Sequence, residues 1–436
     1  MDAMLFESAV GCHMLAVDGS RIYDLDRETF AEAGTDPSAI RDVLARCSDA
    51  RSRPYIDDAT PALPPLHALS LNVAQTCNLA CGYCYADEGR FGGKRRLMDE
   101  ATARRAVGLL LDEAEPTGSA VLGFMGGEPL QNRSLVQGVT EGAAAEAWWR
   151  GIRLGFSITT NATLLTDADA VFLSDHRFTV AVSLDGPPSV NDRQRPDRRG
   201  GSSFVRACDG LEKILARSGA HVSIRATVTP RTGPLLPILE SLLELGAHEV
   251  GFAPVLVSPN PALAFGEENF SALLAHMITC GEAAKKAILE RRRFPFSNFE
   301  TGLHEITRGS HRPYSCSAAA GYGSVSADGG LFACHRSIDD DAFRIGDLIS
   351  GLDDEARNAF LNDRHVLRQD PCRTCWARFL CGGGCHHEVL ARGRPGCDYI
   401  RGWLCFLLAS YAEISELRPA YFQDPDAYFT RLSEGS

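Results

Sequence analysis

Cys77, Cys81 and Cys84 stand in the run Thr76-Cys77-Asn78-Leu79-Ala80-Cys81-Gly82-Tyr83-Cys84-Tyr85, a C-x3-C-x2-C spacing. Three thiolates this close suit a cubane iron–sulfur cluster, which is ligated by cysteine sulfur. Three ligands leave the fourth iron open, and an open iron is what a cluster needs to bind and reduce a small molecule. The alternatives fit poorly. A structural zinc site pairs C-x2-C with a second such pair or with two histidines, which this run lacks nearby. A thioredoxin-like C-x-x-C carries no third cysteine four residues earlier.

A second crowd of cysteines lies near the C-terminal end: Cys316, then Gly329-x4-Cys334, then Cys372-x2-Cys375-x5-Cys381-x3-Cys385, and Cys397. Zinc is an alternative for Cys372 and Cys375 taken alone. The chain has 15 cysteines, an odd number, and their crowding argues metal rather than a disulfide framework. Cys12, Cys47, Cys208 and Cys405 read as packed structural residues, and Cys280 as a small core residue on a helix. Other polar groups fall where strands should end: Gly126-Gly127-Glu128-Pro129, Thr160-Asn161, Ser183 and Asp185. Arg225 lies inside an apolar strand, where an unpaired charge is costly to bury. A carboxylate ligand or an ion pair with an acid such as Asp185 would satisfy it.

These residues need elements to position them. From 68 to about 257 the chain alternates between strand and helix patterns. Strands are expected at 68–74, 119–125, 153–159, 178–184, 221–228 and 249–257, with helices near 99–115, 130–150, 167–174, 203–218 and 232–245. Six such repeats imply a parallel sheet with right-handed crossovers, an α/β partial (β/α)6 barrel of TIM type. Active residues should gather at the C-terminal strand ends. Residues 1–50 read as a small α+β unit, with strand runs 13–17 and 21–25 around Asp18-Gly19 and a helix starting at Pro37. Residues 51–67, with four prolines, read as a linker. Residues 266–310 hold a connecting helix at 267–293, and 311–436 form a cysteine-rich domain ending in a helix at about 398–416.

With 436 residues, 44% hydrophobic and 23% charged, the composition is that of an ordinary globular protein of two or three domains. A net charge of −12 argues against a nucleic-acid partner. The N-terminus lacks a basic region followed by an apolar core, and no apolar run reaches the roughly 18 residues of a membrane span. A reducing cytoplasm is the expected location.

The C-x3-C-x2-C run, with Tyr83 before its third cysteine, resembles the signature of the radical S-adenosylmethionine (SAM) enzymes. The resemblance implies that Cys77, Cys81 and Cys84 hold a [4Fe–4S] cluster whose open iron chelates SAM, and that one electron cleaves SAM to a 5′-deoxyadenosyl radical. It places Tyr83, Gly126, Gly127, Glu128, Asn161, Ser183, Asp185 and Arg225 around SAM. The later cysteines resemble the SPASM domain of peptide-modifying members, which holds two auxiliary [4Fe–4S] clusters. Carried over, Cys372, Cys375, Cys381 and Cys397 ligate the outer cluster, and Cys316, Cys334 and Cys385 the inner one. One departure matters. Members with a fully ligated inner cluster have a second cysteine soon after the first, and none follows Cys316 in Ser317–Tyr322. Cys280 is the alternative fourth ligand.

Within that family, Cys334-His335-Arg336, Cys375-Trp376-Ala377-Arg378 and Cys381 to Glu388 resemble maturases of ribosomally made peptides, among them the quinohemoprotein amine dehydrogenase maturase and thioether- or cyclophane-forming enzymes. Sulfatase-maturing members carry aspartate where His335 stands. The expected function is hydrogen abstraction from a peptide, with an intramolecular cross-link, a cysteine thioether in first place. Carbon–carbon cross-linking, other peptide oxidation and epimerisation are the alternatives, and a non-catalytic iron–sulfur electron carrier is the remote one. The implied cofactors are three [4Fe–4S] clusters and SAM. The implied partners are a peptide or small protein with a leader segment, which the 1–50 unit could bind, and an external reductant such as flavodoxin or ferredoxin.

Overall fold

The computed structural model describes residues 3–17, 21–47, 56, 62–309 and 312–430. They divide into one unit of Met1–Thr60, Gly266–Cys316 and Asp363–Ser436, and another of Pro61–Phe265 and Ser317–Asn362.

The first unit opens with β1 (Ala3–Ser8), β2 (Gly11–Ala16) and β3 (Arg21–Leu25), an antiparallel sheet in that order. Helices Arg27–Ala33 and Pro37–Cys47 follow, and Ala3, Met14, Ala33 and Val43 form the shared core. The two expected strand runs and the helix at Pro37 are present. The turn at 18–20 and residues 51–55 and 57–61 of the expected linker lie outside the described residues. β1 escaped the sequence reading because its buried positions do not alternate with period two. The helix Arg27–Ala33 escaped it too, although Asp26 caps it by accepting from Thr29 N at 2.8 Å. The expected helix 267–293 ends sooner, at Leu289, and Arg291 beyond it takes a left-handed φ of +58°. Ser297–Thr307 forms a further helix, and Cys397–Leu417 the last long one.

The second unit is built on β4 (Ala68–Gln75), β5 (Arg96–Leu97), β6 (Ser119–Gly126), β7 (Arg153–Thr160), β8 (Thr179–Ser183), β9 (His221–Val228) and β10 (Glu249–Pro254). After these come β11 (Tyr322–Val325), β12 (Gly330–Phe332), β13 (Arg344–Asp347) and β14 (Gly351–Leu352). The sheet runs β10-β9-β8-β7-β6-β4-β11-β12-β13-β14, with β5 also on β4. The six expected strands, β4 and β6 to β10, pair in parallel in sequence order, with a helix in each crossover. The order does not close on itself, as a partial barrel requires.

Alternation explains why this sheet forms. Leu71, Phe124, Phe156, Val182, Ile224 and Phe252 are buried on one face. Phe178 stacks on Phe124 and Phe156 there and meets Phe172 of the helix Asp167–Asp175. The other face is small and polar. A Cβ on Gly123 would come within 2.7 Å of Ser70 Oγ and 3.2 Å of Ser157 Oγ. Ser183 lies opposite Arg225 in the register of β8 and β9.

Residues 317–362 divide differently from expectation, grouping with the barrel strands rather than with the later cysteines. The parallel sheet would otherwise end at β4. β11 fills that edge in parallel, and Gly321 O accepts from His67 N and Ala68 N at 2.9 and 3.0 Å.

Candidate active site

The cysteine loop leaves the C-terminal end of β4, and its neighbours come from the ends of the next strands. Gly127 N donates to Ala74 O at 2.8 Å and Glu128 N to Thr76 O at 2.9 Å. A Cβ on Gly127 would fall 2.3 Å from Thr76 O and 2.9 Å from Gly89 Cα. The glycines therefore admit the backbone of the cysteine loop itself. The Glu128 carboxylate is fully buried and engaged by the protein: it accepts from Leu130 N at 3.1 Å, Thr160 Oγ1 at 2.7 Å and Asn161 N at 2.8 Å. Burial raises its pKa, and those donors oppose the rise. Its side chain thus pins β6 to β7 rather than reaching for a ligand.

Asn161, at the end of β7, places Nδ2 3.8 Å from Cys77 Sγ and 3.0 Å from Asn78 Oδ1. Leu79 N also points at Cys77 Sγ, at 3.4 Å. Burial pushes the Cys77 thiol up to about 11, with Glu128 adding to the rise, and the Cys81 thiol up to about 12. The three sulfurs act on one another: Cys84 on Cys77, and both on Cys81. Three soft donors in one loop, protonated until a metal displaces the protons and met by N–H groups, fit an iron–sulfur cluster.

The loop after β8 clamps this one, and the sequence did not announce it. Ala80 N donates to Pro196 O at 2.9 Å, and Leu79 bridges Asp197. Arg198 Nε donates to Cys77 O at 2.6 Å and the guanidinium pairs with Glu88 at 3.0 Å. Tyr83 donates to Asp185 Oδ2 at 2.7 Å and accepts from Arg195, which stands 3.6 Å from Asp185. Thr227 N, at 2.9 Å, and Gln194 Nε2, at 3.3 Å, complete the donors to Asp185, which is fully buried. Asp185 and Tyr83 therefore serve each other and Arg195 rather than offering free polar groups. Burial raises the Asp185 pKa, and Arg195 opposes it.

Arg225 departs from expectation twice. Its side chain is about half exposed, at 49%, on the small polar face, so it does not carry the cost of a buried charge. Its ion-pair partner is Glu249, at 3.4 Å, while Asp185 is held by Arg195. Ser183 is half-buried beside it in register.

In the first unit, Cys372, Cys375, Cys381 and Cys397 act electrostatically on one another. Gly382, Gly383 and Gly384 all take left-handed φ, at +67°, +87° and +80°. That curl turns the N–H groups of Gly383 and Gly384 onto Cys381 sulfur. Arg394 donates to Gly383 O and Gln369 Oε1. Four thiols that act on one another, one of them met by two backbone N–H groups, fit a second cluster. Of the expected inner set, Cys316 and Cys385 belong to this unit and Cys334 to the barrel unit, where it caps the turn His335–Ser337 near Tyr85 and Tyr322. Among the described residues, no three His, Cys, Asp or Glu side chains converge on a single metal ion. No described helix is long and apolar enough to cross a membrane.

The model of the Radical SAM superfamily matches residues 71–232. A serine-type anaerobic sulfatase-maturating enzyme of Klebsiella aerogenes is 27% identical over 352 residues, covering 77% of this chain and 83% of that protein. Among solved structures, native anSMEcpe with bound AdoMet superposes with a TM-score of 0.69 at 19% identity, over 81% of this chain and all of that one. Streptococcus suis SuiB bound to its precursor peptide SuiA superposes at 0.54 and 14%, over 91% and 97%. The cysteine loop at the strand ends of an open parallel barrel and the family match agree: residues 71–232 carry the radical SAM α/β fold, and this chain is an enzyme.

Proposed function

We propose that this enzyme is a maturase of a ribosomally made peptide or protein, and that it forms an intramolecular cross-link, a cysteine thioether, after hydrogen abstraction. The observation that carries the maturase reading is the second set of clustered thiols, Cys372, Cys375, Cys381 and Cys397, in a chain whose barrel already has its own three. Bound at Cys77, Cys81 and Cys84, a reduced cluster with SAM supplies a carbon-centred radical able to take hydrogen from an unactivated carbon. The protein's part is to hold and shield: Glu128 fixes the strand ends, Arg198 grips Cys77, and the small polar face bearing Ser183 and Arg225 leaves room for SAM and the reacting side chain. The auxiliary sites, Cys372, Cys375, Cys381 and Cys397 for one and Cys316, Cys334 and Cys385 for the other, would raise the total to three clusters. A three-cysteine inner set leaves a position that a substrate thiolate fits. Cys280, the rival ligand, is fully buried in its helix packing.

The substrate's leader segment would dock on the first unit. There β3 is a sheet edge, and a cavity of about 650 Å³ lies against it, lined by Arg21, Tyr23, Ile306, Thr307, Tyr411 and Glu416 among others. An added strand is satisfied by the edge's own backbone groups.

A second reading is favoured by the Klebsiella relative, named for sulfatase maturation: oxidation of a serine or cysteine side chain. His335 in place of the aspartate expected there speaks against it. Anaerobic incubation with SAM, dithionite and the peptide encoded beside the gene separates the two. A thioether product loses two hydrogens and its cysteine no longer reacts with iodoacetamide. A product that reacts with a hydrazine, its cysteine still alkylated or its sulfur lost, replaces the thioether reading by the second one. Formation of 5′-deoxyadenosine with neither change rejects both.

A further inference from the structure

Arg195 is a buried cation, 8% exposed, that the cysteine signature does not mention. The chain delivers it to the cysteine loop by two contacts and fixes its own turn by a third. Its own segment pairs with the loop through Ala80 N to Pro196 O, and its guanidinium donates to Tyr83, the residue between Cys81 and Cys84. Its carbonyl accepts from Ser203 Oγ at 2.6 Å, which fixes the turn that carries it. Arg198, three residues on, is partly exposed and already paired with Glu88. Among the described residues Asp185 is the one acid within ion-pair reach of Arg195, at the long distance of 3.6 Å, and Asp185 is shared with Tyr83, Gln194 and Thr227. Glu128 is the other buried acid beside the loop, and it faces Leu130, Thr160 and Asn161.

Three thiolates on a cubane core make a negatively charged group, and one added electron makes it more negative. Buried charges act on such a group at low dielectric, where each is felt strongly. A fixed cation there favours the reduced state and raises the potential at which the electron is accepted.

We propose that Arg195 is the counter-charge of the cluster held by Cys77, Cys81 and Cys84, that it raises the potential at which this cluster takes up its electron, and that Tyr83 is the positioning residue that holds the guanidinium in place, while the Asp185 charge opposes it. It is a role toward the group the superfamily implies, and it does not depend on which peptide is modified or which bond is made.

The test is a potentiometric titration of the full-length, anaerobically reconstituted protein, reduced stepwise with dithionite and followed by electron paramagnetic resonance. The relevant cluster is recognised by the change in its signal on adding SAM. Arg195→Gln should move its midpoint down, Arg195→Lys should stay near the parent, and Asp185→Asn should move it up. Signals that do not respond to SAM should stay where they are. Opposite shifts from Arg195→Gln and Asp185→Asn are a charge effect, since general loosening of the loop would move both the same way. A midpoint unchanged in Arg195→Gln at full iron content overturns the proposal, as do same-signed shifts in the two variants. If Arg195→Gln takes up no iron, Arg195→Lys and Asp185→Asn decide: an upward shift in Asp185→Asn with an unshifted lysine variant supports the proposal, and any other pair of results overturns it.

Discussion

Cys77, Cys81 and Cys84 share one short loop, yet what holds them comes from far along the chain: Glu128, Asn161, Arg195 and Arg198. Cys372, Cys375, Cys381 and Cys397 are spread over a longer stretch, yet most of what holds them is close in sequence. Cys375 N donates to Cys372 O at 2.9 Å, Cys381 N to Ala377 O at 2.8 Å, and the Gly382–Gly384 curl does the rest. The first arrangement ties the cysteines to the ends of a parallel sheet, where a ligand can be reached from several strands. The second is a self-contained knot. A site that must bring a small molecule and a substrate together needs the first. A site that only holds a cluster needs no more than the second.

The comparison breaks most visibly at the cysteines. Replacing Cys77, Cys81 and Cys84 with alanine should remove about four irons and abolish 5′-deoxyadenosine formation from SAM. Replacing Cys372 and Cys375 should also remove about four irons, but uncoupled SAM cleavage should survive. Iron analysis and chromatography of the nucleoside read both. SAM cleavage by the first variant, or its total loss in the second, would mean that the roles of the two regions are misassigned.

The glycines rank next. On Gly127 a Cβ would meet Thr76 O at 2.3 Å and Thr76 C at 2.5 Å, backbone that cannot give way without moving the cysteine loop. On Gly382 it would meet Tyr314 O at 2.4 Å, on top of a left-handed φ of +67°. On Gly384 the nearest atom is Val389 Cγ2 at 3.2 Å. Alanine at either of the first two should cost about 3 kcal/mol or more, from overpacking and strain together, and at Gly384 about 1 kcal/mol. Thermal melts of the metal-free proteins give the order, and a Gly384→Ala variant as damaged as Gly382→Ala would show that strain, not contact, governs the curl.

Titration separates the regions by sign. Glu128 has a raised pKa because it is buried, so its share of stability is full below about 4.5, the ordinary glutamate value, and is lost as pH rises through its folded value. His386 is the reverse. Burial, with Arg364 and Arg394 nearby, lowers its pKa from 6.5 to about 4, and Arg364 Nε donates to its Nδ1 at 3.2 Å. Its share is full above 6.5 and is lost as pH falls toward about 4, on the order of 3 kcal/mol in all. In metal-free protein, His386→Gln should flatten the loss of stability between pH 6.5 and 4, and Glu128→Gln should flatten the loss above pH 4.5. Denaturant melts across pH that leave either slope intact would remove that residue from the account.

The sheet was legible because its strands bury one face and keep the other small, and both cysteine sets were legible because their spacing is short. What holds the barrel set was not. Arg195 and Arg198 lie more than a hundred residues beyond Cys77, in a turn whose pairing with Leu79 and Ala80 has no periodic trace. Glu128 was readable as a motif residue but not as a brace, since nothing local reveals that Thr160 and Asn161 would claim both its oxygens. β11 escaped for the same reason: its four residues show no alternation, and it exists because β4 has an edge to fill.

The smallest expected effect tests the polar face itself. Arg225 is half exposed and its pair with Glu249 is long, so Arg225→Ala should change stability by less than about 1 kcal/mol. Ser183→Ala, at a half-buried hydroxyl across the strand pair, should be as mild. Both point onto the face that borders the cysteine loop's end of the sheet, where the register sets them opposite each other. SAM affinity, measured by calorimetry on reconstituted protein with unchanged iron content, should nevertheless fall in both. Because stability is spared, such a fall reads binding alone, and the double variant shows whether the two side chains contact one ligand: less than the sum of the single losses means a shared contact. Unchanged affinity in both would give Arg225 to Glu249 and leave SAM recognition to the backbone of the Gly126–Glu128 turn, which would make the barrel region as self-contained in its ligand contacts as the C-terminal knot is in its cysteines.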